Sequence, residues 1–567
     1  MKGIGVSAGI GIGKILLVEE HSVEYTPKQV EDAVAEKSRF RNSVEQFCNN
    51  TRVQAEALRK SAGDKEAEIM LGHISIVNDP FLLGEVEKLI DAGQCAESSF
   101  ASMCEMFISI FSAAEDDLTK QRATDVRDVR TGVLSILLGI KEVKLSDVPE
   151  GTVICVKELT PSMIAEIKKE NIAGILTETG STTSHSAILA RVMEIPAVMS
   201  VPDIMTSAEN GSVVILDGSK GTVIISPDEA QIADYTEKRE KLLREIRELQ
   251  KYRGKPTVSA DGTEYELVCN IGKPDDAAKA LEFDGEGVGL FRTEFLFMDK
   301  TSVPSEDEQF AEYKKAAMIL GSRPLIIRTL DIGGDKDIPY LGLAKEENPF
   351  MGFRAIRYCL KNRDLFRIQL RAILRASAFG NISIMFPLIT CVEEVREGKA
   401  LVEQLKAELT EQGIEFDRNI KVGIMTETAA AGIIADLLAR ESDFFSIGTN
   451  DLTGYTMAAD RGNSDVSYLY SALQPAVLRM IRSIITAARN NNIPVGMCGE
   501  AAADPLMIPL LISFGLTEFS VSAPSVLRVR KCISDWTKEK ADEITDKVMS
   551  LATESEVREY LSSVIVA

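Results

Sequence analysis

From residue 255 to 567 the chain repeats one pattern, a short apolar strand followed by a helical stretch. The strands read LVCNI (267–271), GVGLF (287–291), LIIRT (325–329), ISIMF (382–386), KVGIM (421–425), FFSIG (444–448), PVGMC (494–498) and TEFSVS (517–522). Eight strands alternating with helices over about 300 residues predict a (β/α)8 barrel of the TIM type, with a doubly wound open sheet as the alternative.

In such a barrel the chemistry sits at the carboxyl ends of the strands. Strand two ends in Arg292 and Glu294, and strand three carries Arg328 and Asp331, followed by Gly333-Gly334-Asp335-Lys336. Strand five ends in Glu427, strand six in Asn450 and Asp451, and strand seven in Cys498 and Glu500. Arg461 follows strand six, and Arg354 lies in the long connection after strand three. Guanidinium groups grip phosphate or carboxylate oxygens through paired N–H donors. A pair of acidic side chains suits Mg2+, which keeps few protein ligands and shares the oxygens of a substrate. The set implies a small polyanionic ligand that carries phosphate. Cys498 has two readings, a small buried hydrophobe or a thiol that gives its proton to a carbanion or enolate.

The first half is organised differently. Residues 1–20 form a glycine-rich apolar β unit, and β texture returns near 148 with VICV (153–156), GIL (174–176), PAVMS (196–200), VVILD (213–217) and TVIIS (222–226). Between them, from about 27 to 143, the chain is helical and charged, with one stretch from Lys28 to Lys60 and another opened by Asp79-Pro80 as cap and first turn. A helical block inside a β-rich unit is expected where the ends of the host lie close together. Residues 228–253 read as a charged linker helix ending at Gly254. Gly3, Gly5, Gly9, Gly11 and Gly13 lack the spacing of a phosphate loop and read as turn glycines.

Histidine is scarce, with only His21, His73 and His185. His185 lies in TGSTTSHSAILARVMEIPAV, where Ser184 is a good N-cap and Ile188, Leu189, Val192 and Met193 make one helical stripe. A helix N-terminus favours an anion, and a phosphorylated imidazole is one. On this argument alone a capping-region histidine without function remains open. His73 reads as a surface or docking residue and His21 as loop.

Composition excludes several classes. No run of about 18 apolar residues occurs, so no membrane insertion is expected, and the first residues lack the hydrophobic region and cleavage site of a signal peptide. Nine scattered cysteines without a C-x-x-C pair point to a reducing cytoplasm rather than to zinc or disulfides. A formal charge of −22 disfavours nucleic acid and suits a partner with a basic docking face.

Over essentially its whole length the sequence resembles enzyme I of the bacterial phosphoenolpyruvate:sugar phosphotransferase systems. The motifs are GVGLFRTEFLFM (287–298), RTLDIGGDKDIPY (328–340), NPFMGFRAIR (348–357), IGTNDLTGYTMAADRGN (447–463), CGEAAADP (498–505) and TSHSAILARVMEIPAV (183–198). The resemblance implies an α/β multidomain chain. A β/α phosphohistidine swivelling domain (1–22 and 145–227) is interrupted by a helical domain that docks the carrier HPr (23–144). A linker helix (228–254) then leads to a phosphoenolpyruvate-binding barrel that also forms a homodimer (255–567). It further implies phosphoryl transfer from phosphoenolpyruvate to His185 and on to HPr, with release of pyruvate. Mg2+ would be held by Glu427 and Asp451, and substrate by Arg292, Arg328, Asn450, Asp451 and Arg461, with Cys498 as the proton donor to the enolate.

The chain departs from the family pattern at four places. Thr182 stands where an arginine is usual, Thr428-Ala429 replace a hydrophobic-Pro pair, Gly454 replaces a glutamine, and Ala501-Ala502-Ala503 replace Met-Ala-Gly. Two other readings share parts of the pattern. A pyruvate phosphate dikinase or phosphoenolpyruvate synthase needs a large ATP-binding domain, for which the helical block leaves no room. A non-catalytic sensor of phosphoenolpyruvate has the altered loops at Thr182 and Gly454 as its only support.

Overall fold

The computed structural model describes every residue except 19–24, 63, 114–116, 141–144, 181–184, 299, 334–337 and 566–567. The chain divides into two compact units, Met1–Ile246 and Arg247–Ala567.

The first unit is built on seven strands in the order β1-β5-β4-β3-β2-β6-β7. They are β1 (Ile4–Ser7), β2 (Ile10–Val18), β3 (Thr152–Val156), β4 (Ile172–Thr177), β5 (Ala197–Met199), β6 (Val213–Asp217) and β7 (Thr222–Ile225). β2 to β5 run parallel through β3 and β4, while β1, β6 and β7 join antiparallel. β3 is buried along its whole length, as a strand covered on both faces must be, and so reads as a continuous apolar run. The early glycines do not behave as turn glycines. Only Gly9 takes a left-handed turn conformation (φ +127°). Gly13 lies inside β2, where a Cβ would stand 2.0 Å from the Gly151 carbonyl oxygen, so a neighbouring backbone approaches where a side chain would be.

Parallel neighbours β2 and β3 need a crossover, and this one holds α1 (Ala33–Ala62), α2 (Asp64–Val77), α3 (Pro80–Asp91), α4 (Ala96–Ser112) and α5 (Asp117–Leu138). Their own core includes Phe40, Val86, Ile90, Phe100, Val129 and Val133. α3 opens as its sequence predicts, with the Asp79 carboxylate accepting the N–H groups of Phe81 (3.0 Å) and Leu82 (2.9 Å). α1 starts later than expected, at Ala33 rather than Lys28. The Asp32 carboxylate accepts the N–H groups of Val34 and Ala35 and so caps the helix there. The bundle is tied to the sheet side by Thr124 to Glu158 (2.6 Å), Ser162 to Asp128 (2.6 Å) and Gln54 to Glu166 (3.2 Å).

These ties line a cavity of about 1080 Å³ that also reaches His73. His73 is a correction to the sequence reading. It is buried, with Nε2 3.6 Å from Asp125 and Nδ1 3.8 Å from Asp128. Burial opposes its charge, but the two carboxylates outweigh it and raise its pKa. A short apolar-flanked sequence gave no sign of the acids on α5 that make this burial tolerable.

The second unit is a closed barrel of parallel strands in sequence order, which excludes the open-sheet alternative. Its strands are β8 (Glu266–Ile271), β9 (Val288–Arg292), β10 (Pro324–Arg328), β11 (Asn381–Phe386), β12 (Lys421–Thr426), β13 (Phe445–Ile447), β14 (Val495–Met497) and β15 (Glu518–Val521). Alternation divides each strand between two cores. Leu267, Ile327, Ile424, Phe445, Val495 and Phe519 belong to the large core beneath the outer helices, whereas Leu290, Ile326, Met385, Met425, Phe444 and Cys498 form a separate inner cluster. The charged helix Glu229–Gln250 buries none of its residues, as expected from its composition.

Candidate active site

The barrel mouth is organised by two arginines and the carboxylates around them. Arg328, the last residue of β10, is 8% exposed. Its Nη2 lies 2.6 Å from Glu294 and its Nη1 2.9 Å from Asp331. Arg354 takes the other oxygen of Asp331 at 2.6 Å and comes within 3.6 Å of Asp451. The result is a buried chain, Glu294–Arg328–Asp331–Arg354–Asp451, drawn from three strand ends and one loop. Arg328 Nε, Arg354 Nε and Arg354 Nη1 are buried without a hydrogen-bond partner. Donors of this kind cost free energy unless an anion meets them.

Glu427, just past β12, is 2% exposed and accepts the Leu388 N–H at 2.7 Å. Burial, then the charges of Asp451 and Asp331, push its carboxyl well above the usual range despite Arg328 and Arg354. Asp451 is raised by burial as well, with Arg354 opposing. Two carboxylates that resist ionising side by side attract a divalent cation. Among the described residues no three His, Cys, Asp or Glu side chains form a metal cage. A cation here would therefore depend on oxygens from substrate or water, the pattern of a hard ion that keeps few protein ligands.

The other predicted residues stand around this centre. Asn450 donates to Glu500 at 3.4 Å, and its carbonyl accepts the Tyr470 hydroxyl at 2.8 Å. Arg461 is exposed, yet its charge reaches Asp451 and Tyr470. Arg292 is also exposed, its guanidinium 5.6 Å from the Phe295 ring, and it takes no part in the buried chain of ion pairs. Cys498 is 7% exposed, with its thiol 3.7 Å from the Ile447 carbonyl oxygen. Burial pushes that thiol up to about 11, although Ser446 works the other way, so it is protonated at neutral pH. Gly334, Asp335 and Lys336 lie outside the described residues.

His185 opens the helix His185–Val192 of the first unit, which Leu189 and Ala190 anchor in the core with Met193 just beyond it. Its side chain, the cap expected at Ser184 and the departure at Thr182 lie outside what is described. Arg354 was visible in the sequence as one arginine in NPFMGFRAIR, but nothing there indicated that it bridges Asp331 and Asp451. Asn270, Ser446 and Glu518 were missed, and their signal is a polar residue at an inward position of a barrel strand.

Three family profiles match the chain. They describe the N-terminal domain (residues 2–122), the mobile domain (148–221) and the PEP-binding domain (246–537) of PEP-utilising enzymes. Those three domains define the class. A phosphoenolpyruvate-protein phosphotransferase of Priestia megaterium is 43% identical over 564 residues, covering 99% of this chain and 98% of the relative. One of Bacillus subtilis is 44% identical over 558 residues, covering 98% of each. A solution structure of an Enzyme I is 36% identical and covers 43% of this chain and 99% of its own, with a TM-score of 0.38. The chain belongs to the phosphoenolpyruvate-protein phosphotransferase family, and it is an enzyme.

Proposed function

We propose that the chain moves the phosphoryl group of phosphoenolpyruvate to its own His185 and then to the carrier HPr, releasing pyruvate as the first step of a sugar phosphotransferase system. The observation that carries this reading is the barrel mouth. Arg328 and Arg354 carry buried N–H groups without a hydrogen-bond partner, and their charges act on two carboxylates, Glu427 and Asp451, that resist ionisation.

Arg328 and Arg354 bind the phosphate and carboxylate of the substrate, with Arg292, Arg461 and Asn450 closing on it from the rim. Glu427 and Asp451 would hold Mg2+, which would supply charge neutralisation for the phosphate. The neutral imidazole of His185 attacks phosphorus in line, so an N–P bond forms as the P–O bond to the enolate breaks. Positioning and charge neutralisation are what such a transfer requires of a protein. The protonated Cys498 thiol then delivers its proton to the enolate carbon.

HPr docks on the inserted bundle, where Phe81, Met106 and Ile110 are exposed on α3 and α4 and Phe81 meets Phe107 edge-on at 6.3 Å. The barrel pairs with a second copy. The nine cysteines are unbonded, which suits a reducing cytoplasm. No described helix is long and apolar enough to cross a membrane.

The test is labelling with radioactive phosphoenolpyruvate and Mg2+, with and without HPr. Acid-labile, base-stable label is expected on the protein, passing to HPr and disappearing in His185→Ala. An unlabelled wild-type chain would overturn the proposal, and label that requires ATP would move the chain to the dikinase reading.

A further inference from the structure

Two of the strand ends that carry the arginine centre are tied together by an amide buried outside the barrel wall. Gln369, on the helix Arg363–Ala376, is 0% exposed. Its Oε1 accepts the Leu330 N–H at 2.9 Å. Its Nε2 donates to Thr293 Oγ1 at 3.1 Å and to the Tyr313 hydroxyl at 3.2 Å. A backbone N–H can only donate, so the amide oxygen must face Leu330, and both amino hydrogens are left for the two hydroxyls. The Thr293 hydroxyl donates in turn to the Arg328 carbonyl at 2.9 Å. On the far side the Tyr313 hydroxyl donates to Gln309 Oε1 at 3.0 Å, and Gln309 Nε2 donates to the Pro304 carbonyl at 2.9 Å.

The residues that Gln369 grips are neighbours of the acids in the centre. Thr293 precedes Glu294 and Leu330 precedes Asp331. Those two carboxylates lie 2.6 and 2.9 Å from the Arg328 guanidinium, and Asp331 holds Arg354 as well, at 2.6 Å. The ladder between β9 and β10 does not fix this relation by itself. Its register shifts between Leu325 and Ile327, whose partners are Val288 and Phe291. Arg328 and Arg292 are its last pair, so Thr293 and Leu330 lie beyond it. There the amide and the Thr293 hydroxyl join the two ends instead.

A buried amide is costly in an apolar core unless its hydrogen bonds are made. Gln369 stands among Phe291, Tyr313, Leu330 and Phe366, all buried. A hydrocarbon side chain of similar size would fill that space without the cost, but it would not tie one strand end to the next.

We infer that Gln369 is a positioning residue for phosphoryl transfer, holding the ends of β9 and β10 so that Glu294 and Asp331 aim the Arg328 guanidinium. The inference rests on the reading of Arg328 as a group that binds phosphoenolpyruvate. Gln369 touches no substrate. It acts through Thr293 and Leu330, and the geometry of the arginine centre is what it supplies.

The experiment uses the full-length chain with Mg2+ and radioactive phosphoenolpyruvate. Rapid quench gives the rate of label transfer to the protein at saturating substrate, equilibrium binding gives the dissociation constant, and urea unfolding gives stability. In Gln369→Met and in Thr293→Val the transfer rate falls roughly tenfold or more, while the dissociation constant changes about threefold or less. Thr293→Ser keeps the hydroxyl and recovers most of the rate. Tyr313→Phe breaks the same network away from the strand ends, so it unfolds at lower urea yet transfers at the wild-type rate. Should Gln369→Met fail to fold, Thr293→Val beside Thr293→Ser carries the test. Wild-type transfer in a folded Gln369→Met or in Thr293→Val overturns the inference. So does Thr293→Ser as slow as Thr293→Val, or equal slowing in Tyr313→Phe, since either reports general loosening of the core. An unlabelled wild type overturns the phosphotransfer reading and the inference with it, whereas a labelled wild type beside an unslowed Gln369→Met overturns the inference alone.

Discussion

Taking Arg328 out of water is offset only because Glu294 and Asp331 lie 2.6 and 2.9 Å from its guanidinium. Removing one member of such a set strands the others. Arg328→Met is expected to leave the buried Glu294 without its ion-pair partner and Asp331 with Arg354 alone, and to destabilise the barrel by about 3–5 kcal/mol in urea unfolding. Arg328→Lys should recover only part of this, because an ammonium has no planar fork to span both acids. A loss of about 1 kcal/mol or less in Arg328→Met would mean that the network is solvated like a surface pair. At this scale the sequence was informative about residue types and poor about partners. It put Arg328, Asp331, Glu427 and Asp451 on strand ends, but the bridging role of Arg354 depends on a loop returning over the mouth.

Among elements, the strands and helices follow from patterns a few residues long. All eight barrel strands lie where the apolar runs are, and α3 begins at its Asp79 cap. Glycine is where local reading fails, since what matters is what stands opposite. Gly13→Ala would drive a Cβ to 2.0 Å from the Gly151 carbonyl oxygen and force β2 from β3. A loss of about 1–3 kcal/mol is expected. Gly84→Ala, in the middle of α3 with nothing within 4 Å of the new methyl group, should gain about 0.5–1 kcal/mol from helix propensity. Thermal unfolding of the two variants measures both signs, and a shift in the same direction for both would refute the close-approach account.

For the whole molecule, a homodimer through the barrel needs an exposed apolar face. The helices after β12 offer one, with Ile433 73% and Leu437 43% exposed. Ile433 also lines an open groove of about 630 Å³ with Arg479 and Arg482. Under the proposed pairing, sedimentation is expected to show a dimer for the wild type and a monomer for Ile433→Glu combined with Leu437→Glu. An unchanged dimer would move the interface elsewhere on the barrel. His185 belongs to one compact unit and the arginine centre to the other, so a two-step relay asks the histidine to visit two partners in turn. Domain motions that gate a turnover are commonly slower than chemistry.

The sequence by itself determined the eight strands, the helical insert, the Asp79 cap, and which residue types stand at the strand ends. Each is written in alternation, period or capping over a handful of neighbours. Tertiary structure alone decided the rest. It selected which carboxylate each arginine holds, buried His73 between Asp125 and Asp128, and set Glu518 over Gly496 beneath Cys498. These pairings join residues far apart along the chain. Only closure of the barrel, or packing of the bundle, brings them within a few ångströms, and the burial that gives them their energies comes with it.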